Sequence, residues 1–260
     1  MTSDDSTLYY LTGHKGLMKL DIQKKQYEFL LEEFDRKLVA LNSVAVDEAN
    51  QVLYISDCGT IPHVFAGKSV LLSNTMGRIL KFDLRTRTAS VLVDKVSFPN
   101  GIVYEKSTHS IIFSEFSRNR IWKYDLSTGS SRFLLENLSG YADNLKLSDT
   151  GDLLVAIILT RDPLLELIKD KPALRKYLMY VPDKLIRAVT AKRAGGLRVD
   201  PQTGEIKEYI FGAPTKLNSV STINERNGKL YFSSLFYPTI LVLDRSSQGG
   251  QEGLKVGEEL

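Results

Sequence analysis

Stretches in which apolar and polar residues alternate recur along the chain, and each ends on an aspartate. Alternation with a period of two is the pattern of a β-strand with one buried face. The chain therefore predicts one strand type that is used repeatedly. The five stretches are residues 17–21, 79–83, 121–125, 197–200 and 241–244.

A second apolar stretch precedes each of these strands, and a weaker one follows most of them. Turn residues that tolerate left-handed backbone, such as Asn227 and Gly228, separate the stretches. Four antiparallel strands per repeat, spaced by roughly 40 residues, are typical of β-propeller blades. A β-sandwich is the alternative, but sandwiches do not repeat one strand pair five times. We therefore expect an all-β propeller of about five blades in a single domain over residues 1–260, with a partial first blade at 1–22 and a flexible tail at 246–260.

Two insertions, residues 58–77 and 160–195, interrupt the repeat. The second has a helical pattern, with Asp162 as N-cap and Pro163 at the first helical position. In an up-and-down blade, the link between the second and third strands lies on the face where the first strand begins. Both insertions are therefore predicted beside the central mouth, either as lids or as solvated decoration.

The composition and charge of the chain exclude several classes of protein. The 260 residues are 43% hydrophobic and 25% charged, which is ordinary for a soluble globular protein. A net charge of +3 with dispersed basic residues argues against a nucleic-acid partner. No apolar run reaches the roughly 18 residues of a membrane span, and the first residues carry no signal pattern. The single cysteine, Cys58, excludes an intrachain disulfide.

Oxygen-bearing side chains stand just before three short apolar strands. Asn42 precedes residues 44–46, Asn100 precedes 102–104, and Asp143 precedes 145–147 with Asn144 beside it. Asparagine and aspartate often cap strand ends, which is the alternative role for each of them. Their equivalent places in successive repeats instead favour side chains that converge around an axis.

The ordered combination of residues 77–83 (GRILKFD), 98–102 (FPNGI) and 137–145 (NLSGYADNL) resembles strictosidine synthase-like proteins, and among them the adipocyte plasma membrane-associated proteins. The resemblance runs from about residue 8 to residue 244. It implies a six-bladed propeller of the calcium-dependent phosphotriesterase type, a superfamily that includes paraoxonases and gluconolactonases. It also implies association with endomembranes, the endoplasmic reticulum or the plasma membrane.

The resemblance further implies a Ca²⁺ ion at the axis. Asn42, Asn100 and Asp143 match three of the family's ligand positions, with Asn144 as a neighbouring candidate, and Ca²⁺ accepts such oxygen ligands. The family's remaining ligand is a glutamate of the first blade. Here the first strand pair begins at Leu8 with no inner strand before it. We therefore expect a propeller that is incomplete at its N-terminus, or one that closes with five blades, and in which calcium binds weakly.

Strictosidine synthesis itself is not expected. The family's catalytic glutamate aligns at or next to Ser221, where this chain has no carboxylate. Forming the product requires a general base to remove the last proton. The name of the family is therefore not evidence for that reaction in this chain.

The leading functional hypothesis is a calcium-assisted hydrolase whose substrate is a small ester or lactone. His63, in the first insertion, is the candidate general base. The alternative is a non-catalytic propeller that binds a membrane surface or a protein partner through the basic second insertion. Asn137 begins an Asn-Leu-Ser sequon, so it is a candidate glycosylation site in the secretory pathway.

Overall fold

A computed structural model describes residues 2–12, 15–61, 75–161, 166–167, 171–178, 180–181, 194–211, 219–235, 238–245 and 254–256. These residues form five antiparallel sheets, and in each sheet the strands follow one another in chain order. The first sheet has three strands, β1 (Thr7–Thr12), β2 (Gly16–Asp21) and β3 (Gln26–Leu31).

The other four sheets have four strands each. The second comprises β4 (Leu41–Asp47), β5 (Val52–Asp57), β6 (Gly77–Asp83) and β7 (Thr88–Val96). The third comprises β8 (Pro99–Glu105), β9 (Ser110–Glu115), β10 (Arg120–Asp125) and β11 (Ser131–Leu135). The fourth comprises β12 (Gly140–Leu147), β13 (Leu153–Thr160), β14 (Gly195–Val199) and β15 (Ile206–Phe211). The fifth comprises β16 (Val220–Arg226), β17 (Lys229–Ser234), β18 (Ile240–Asp244) and β19 (Leu254–Val256).

The five sheets are the blades of a β-propeller, as the repeat predicts. The first strands of the last four sheets, β4, β8, β12 and β16, pack side by side as inner strands around the axis. Four apolar clusters fill the spaces between successive blades. Phe82, for example, is buried between the first two blades, and Phe113 between the second and third. Burial between blades, where each blade covers its neighbour's apolar face, therefore supplies the core.

The recurrent aspartate has a local structural role. Asp83 Oδ1 accepts hydrogen bonds from the backbone N–H groups of Arg85 (2.8 Å) and Thr86 (3.0 Å). Asp125 and Asp200 make the same pair of bonds in their own blades. These backbone donors hold the pKa of each carboxyl below its usual value. Each aspartate thus fixes the turn from the third to the fourth strand as an Asx-turn.

Buried ion pairs connect neighbouring blades on the face opposite the starts of the inner strands. Arg198 on β14 forms a bidentate pair with Glu225 on β16, with N–O distances of 2.7 and 3.1 Å. In the preceding interface, Gln202 Nε2 donates to Glu105 Oε2 at 3.0 Å, and Lys123 Nζ lies 3.7 Å from the same oxygen. These polar contacts fix the register between blades that the apolar clusters hold together.

We expect Glu105→Gln to destabilise the protein by about 2 kcal/mol at neutral pH, because its carboxylate accepts several hydrogen bonds. Burial raises the pKa of Glu105, but hydrogen bonds from Ser107, Thr108 and Gln202 outweigh burial and lower it to about 2. A carboxyl whose folded pKa is depressed stabilises the fold above its unfolded pKa, near 4.5, and loses that contribution as pH falls towards 2. Urea unfolding should therefore show the difference between wild type and variant shrinking over that range. Glu136→Gln, at an exposed position, is the control that should leave stability unchanged.

The insertions are described in part. Asp162 and Pro163, the predicted helix start, and His63 lie outside the described residues. Within the second insertion, α1 (Pro172–Leu178) is helical. Residues 254–256, inside the segment expected to be a tail, form β19 and complete the last blade.

Candidate metal centre

Each inner strand carries a β-bulge at the same place, near its start. Asn42 and Ser43 together face Ser56, because the pairing passes from Leu41–Asp57 directly to Val44–Ile55. Asn100 with Gly101 and Asp143 with Asn144 occupy the same bulge in the next two blades. In the last blade the extra residue is Ser221. A bulge redirects side chains, and here it does so at four equivalent positions, Asn42, Asn100, Asp143 and Ser221. We call these four the mouth positions, and the end of the axis where they lie the mouth.

Two of these side chains, Asn100 and Asp143, lie on neighbouring inner strands and are buried, at 4% and 7% exposure. The Asn100 side chain acts on Asp143 as a hydrogen-bond donor that lowers the pKa of the carboxyl. Burial raises the pKa of Asp143 to about 7, and the bond from Asn100 only partly opposes this effect. Among the described residues, no ion pair compensates the Asp143 carboxylate. The Oδ1 atom of Asn100 is buried and has no hydrogen-bond partner in the described part of the chain.

Asn42 reaches the same region through Cys58. The Asn42 side chain acts as a hydrogen-bond donor that lowers the pKa of the Cys58 thiol, and the thiol itself donates to the backbone oxygen of Pro99 at 2.9 Å. Burial, followed by the charges of Asp57 and Asp143, raises the pKa of this thiol well above its usual value. Cys58 is therefore a neutral, buried group that packs behind the mouth and connects the second and third blades.

The structure gives Asn144 a different contact from that of Asn100. Its Nδ2 atom donates to the backbone oxygen of Ser221 at 3.0 Å, across the interface between the fourth and fifth blades. The sequence pattern placed Asn144 only as a neighbour of Asp143. Ser221 is the position at or next to which the family's catalytic glutamate aligns. The register of the bulge shows that Ser221 is also the fourth mouth position.

The remaining sequence candidates lie apart from this contact network. His63 is outside the described residues, so its predicted role as a base stays a prediction. Asn137 is exposed in the link between β11 and β12, where a glycan could be attached. In the part of the chain that the structure describes, no three His, Cys, Asp or Glu side chains form a metal-binding group.

The residues at the mouth fit a hard cation. An unpartnered amide oxygen on Asn100 and an uncompensated carboxylate on Asp143 are both buried, and burying such groups is costly unless something binds them. Oxygen donors drawn from separate blades are the ligands Ca²⁺ accepts, whereas Zn²⁺ prefers nitrogen and sulfur in a tetrahedron. With Asp143 as the one carboxylate of these four positions, the arrangement fits a weakly held calcium ion.

Comparison with known proteins shows which family the chain resembles. Residues 42–127, which span the second blade and most of the third, match the strictosidine synthase family model. The protein STRICTOSIDINE SYNTHASE-LIKE 1 of Arabidopsis thaliana is 28% identical over 252 residues, covering 92% of this chain. The chain is therefore similar to strictosidine synthase-like proteins over most of its length. Mouse adipocyte plasma membrane-associated protein is 24% identical over 269 residues, covering 94% of the chain.

The chain spans 63% of the length of the Arabidopsis protein and 62% of the length of the mouse protein. Among solved structures, a putative gluconolactonase superposes with a TM-score of 0.56 at 14% identity, covering 88% of this chain and 67% of that one. At that identity the likeness shows the fold. The relatives agree with the resemblance expected from residues 77–83, 98–102 and 137–145, and the solved structure agrees with the propeller fold.

A name that includes the plasma membrane is consistent with membrane association of the mouse relative. In the described part of this chain, no helix has the length and apolarity required to cross a bilayer.

Proposed function

We propose that this propeller binds Ca²⁺ at its mouth and hydrolyses a small ester or lactone there. The observation that carries the proposal is the buried pair at the mouth: among the described residues, Asn100 Oδ1 has no hydrogen-bond partner and the Asp143 carboxylate has no cationic side chain beside it. The putative gluconolactonase, which has the same fold, supports the choice of a lactone or ester as substrate class. Pictet-Spengler chemistry is not proposed, because Ser221 stands where that reaction places its glutamate.

The residues of the mouth have separable roles in this proposal. Bound calcium supplies a positive charge that polarises a substrate carbonyl and stabilises the developing oxyanion. Asp143 provides the charged ligand, while Asn42 and Asn100 provide neutral oxygens from neighbouring blades. Cys58 excludes water from the space behind Asn42, because its thiol is buried and donates a hydrogen bond to the backbone oxygen of Pro99. His63, if the first insertion covers the mouth, is the candidate for taking the proton from water.

The charge of the site sets the expected affinity. Calcium sites with few carboxylates bind in the range of about 10⁻⁴ to 10⁻³ M, whereas sites with several bind far more tightly. With Asp143 as its charged member, this mouth should fall in the weak range. Calorimetric titration of the metal-free chain with CaCl₂ measures this directly.

The decisive experiment combines calcium binding with hydrolysis. We expect phenyl acetate hydrolysis that disappears with EDTA and returns with added CaCl₂. Asn100→Ala should weaken calcium binding at least tenfold and reduce hydrolysis at subsaturating calcium. Asn224→Ala, an exposed asparagine on the inner strand β16, is the matched control and should behave as wild type. Hydrolysis that is unaffected by EDTA, or equal in both variants, would contradict the proposal.

A second function is favoured by the surface of the second insertion. Its described part exposes large side chains, with Tyr177 and Tyr180 at 72% and 81% exposure and Leu167 at 65%. Lys171 and Lys176 lie close to them in the chain. Exposed tyrosine and leucine next to lysine form the chemistry of a surface that docks on anionic lipid. We propose this membrane-docking role as the alternative for a non-catalytic propeller.

Co-sedimentation with liposomes separates the two functions. The docking role predicts binding to vesicles of phosphatidylserine and phosphatidylcholine that persists in EDTA and weakens with salt. Tyr177→Ser with Tyr180→Ser should reduce it severalfold, while Tyr209→Ser, at an exposed position on β15, should not. Equal binding by both variants would exclude docking through this insertion.

A further inference from the structure

Two buried serines connect the mouth positions across blade boundaries. Ser56 on β5 donates its hydroxyl to the backbone oxygen of Asn100 at 2.6 Å, in the next blade. Ser114 on β9 makes the equivalent bond to the backbone oxygen of Asp143 at 3.1 Å. Both serines are fully buried, and each faces the bulge of its own inner strand. The second strands β5 and β9 thus each support the mouth residue of the following blade.

The bulge explains why such a donor is required. An extra residue in a strand leaves part of the ladder unpaired, and a buried backbone oxygen without a donor is costly. The carbonyl groups of Asn100 and Asp143 lie at bulges between packed inner strands. A hydroxyl from the preceding blade satisfies each carbonyl and fixes the backbone that carries the mouth side chain.

The third boundary uses another residue for the same bond. The position equivalent to Ser56 and Ser114 is Ala156, which has no donor. The mouth residue of the following blade is Ser221, and its backbone oxygen instead accepts from Asn144 Nδ2 at 3.0 Å. The amide of Asn144 therefore replaces the hydroxyl that the repeat has lost at this boundary.

We infer that Ser56, Ser114 and Asn144 are positioning residues that set the mouth groups of successive blades relative to one another. Asn144 then acts through Ser221 and is not itself a metal ligand. The inference rests on the proposed calcium site for its functional consequence, whereas the inter-blade bonds are a property of the metal-free fold. Residues that orient metal ligands commonly change metal affinity by about 10 to 100-fold when removed.

The test uses the full chain and four variants. Ser114→Ala and Asn144→Ala should each weaken calcium binding about 10-fold or more in calorimetric titrations. Ser233→Ala is the matched control, since Ser233 occupies the equivalent position in the last blade, and it should bind calcium as wild type does. In the Asn144→Ala background, Ala156→Ser restores the hydroxyl of the repeat and should recover most of the lost affinity. A variant that still lacked affinity after this change would make Asn144 a ligand and overturn the inference.

A second readout keeps this inference separate from the proposed function. In EDTA, Ser114→Ala should accelerate amide hydrogen exchange at residues 143–145 at least tenfold more than Ser233→Ala does. Unchanged exchange there would overturn the positioning role even if calcium binds. Faster exchange in Ser114→Ala, together with a wild-type chain that binds no calcium, would leave the positioning role standing and refute the calcium site.

Discussion

Gly101→Ala is expected to destabilise the protein by at least about 3 kcal/mol and to abolish calcium binding. A β-carbon at Gly101 would stand 2.3 Å from the backbone nitrogen of Leu145 and 2.7 Å from Asn144 Cα. Both atoms belong to the next inner strand, so no side chain can rotate away to relieve the clash. β8 and β12 would have to separate, which moves Asn100 away from Asp143. Overpacking at a rigid contact typically costs 1–3 kcal/mol and sometimes more.

Thermal and urea unfolding measure this cost against a second glycine. Gly151 has a φ of +84° with open space around its Cα, so Gly151→Ala introduces backbone strain without a clash. That control should cost about 1 kcal/mol, the usual penalty for an alanine in left-handed backbone. A shift of roughly 6 to 12 °C in Tm is expected for Gly101→Ala. Equal losses in the two variants would show that the inner strands are not in close contact at this glycine.

The repeat made the fold predictable from the sequence. In three blades an aspartate stands at or just after the end of the third strand, because Asp83, Asp125 and Asp200 each accept hydrogen bonds from two backbone N–H groups of the following turn. A local requirement of this kind leaves the same residue at the same place in successive repeats. Alternation then gives the strands, and the turn chemistry gives their antiparallel order.

The sequence predicts which residues lie at the candidate site, but it does not predict which of their atoms are in contact. Asn42, Asn100 and Asp143 are recognisable because each precedes an apolar strand. Which atoms meet depends on the bulges, and a bulge is a property of pairing between two strands that periodicity does not encode.

The sequence does not predict the roles of Ser56 and Ser114, for a related reason. In the sequence they are ordinary serines at strand ends, and their bonds reach residues 44 and 29 positions later in the chain. The replacement of this hydroxyl by the Asn144 amide becomes visible when Ala156 and Ser221 are compared in register. Long-range polar contacts between blades therefore carry the part of the site that sequence reasoning could not supply.

Asp143→Asn is expected to have opposite effects on stability and on binding. In the metal-free chain, the variant should unfold at higher urea concentration above neutral pH, because it removes a buried carboxylate that has no cation. It should also weaken calcium binding about 100-fold or more, since the charged ligand is lost. Calcium that binds the folded wild type stabilises it in proportion to the logarithm of ligand concentration over Kd. The order of stability should therefore reverse between EDTA and saturating CaCl₂.

Asp152→Asn provides the matched control for this reversal. Asp152 is also largely buried, but its oxygens lie 3.4 Å from Arg198 Nη1 and 2.6 Å from Lys207 Nζ. Neutralising a carboxylate that is paired in this way should destabilise the protein equally with and without calcium. Urea unfolding of both variants in each condition thus separates a carboxylate kept for a ligand from one kept for the fold. A loss of stability in metal-free Asp143→Asn would mean that the fold itself uses this charge, and the calcium site would lose its principal support.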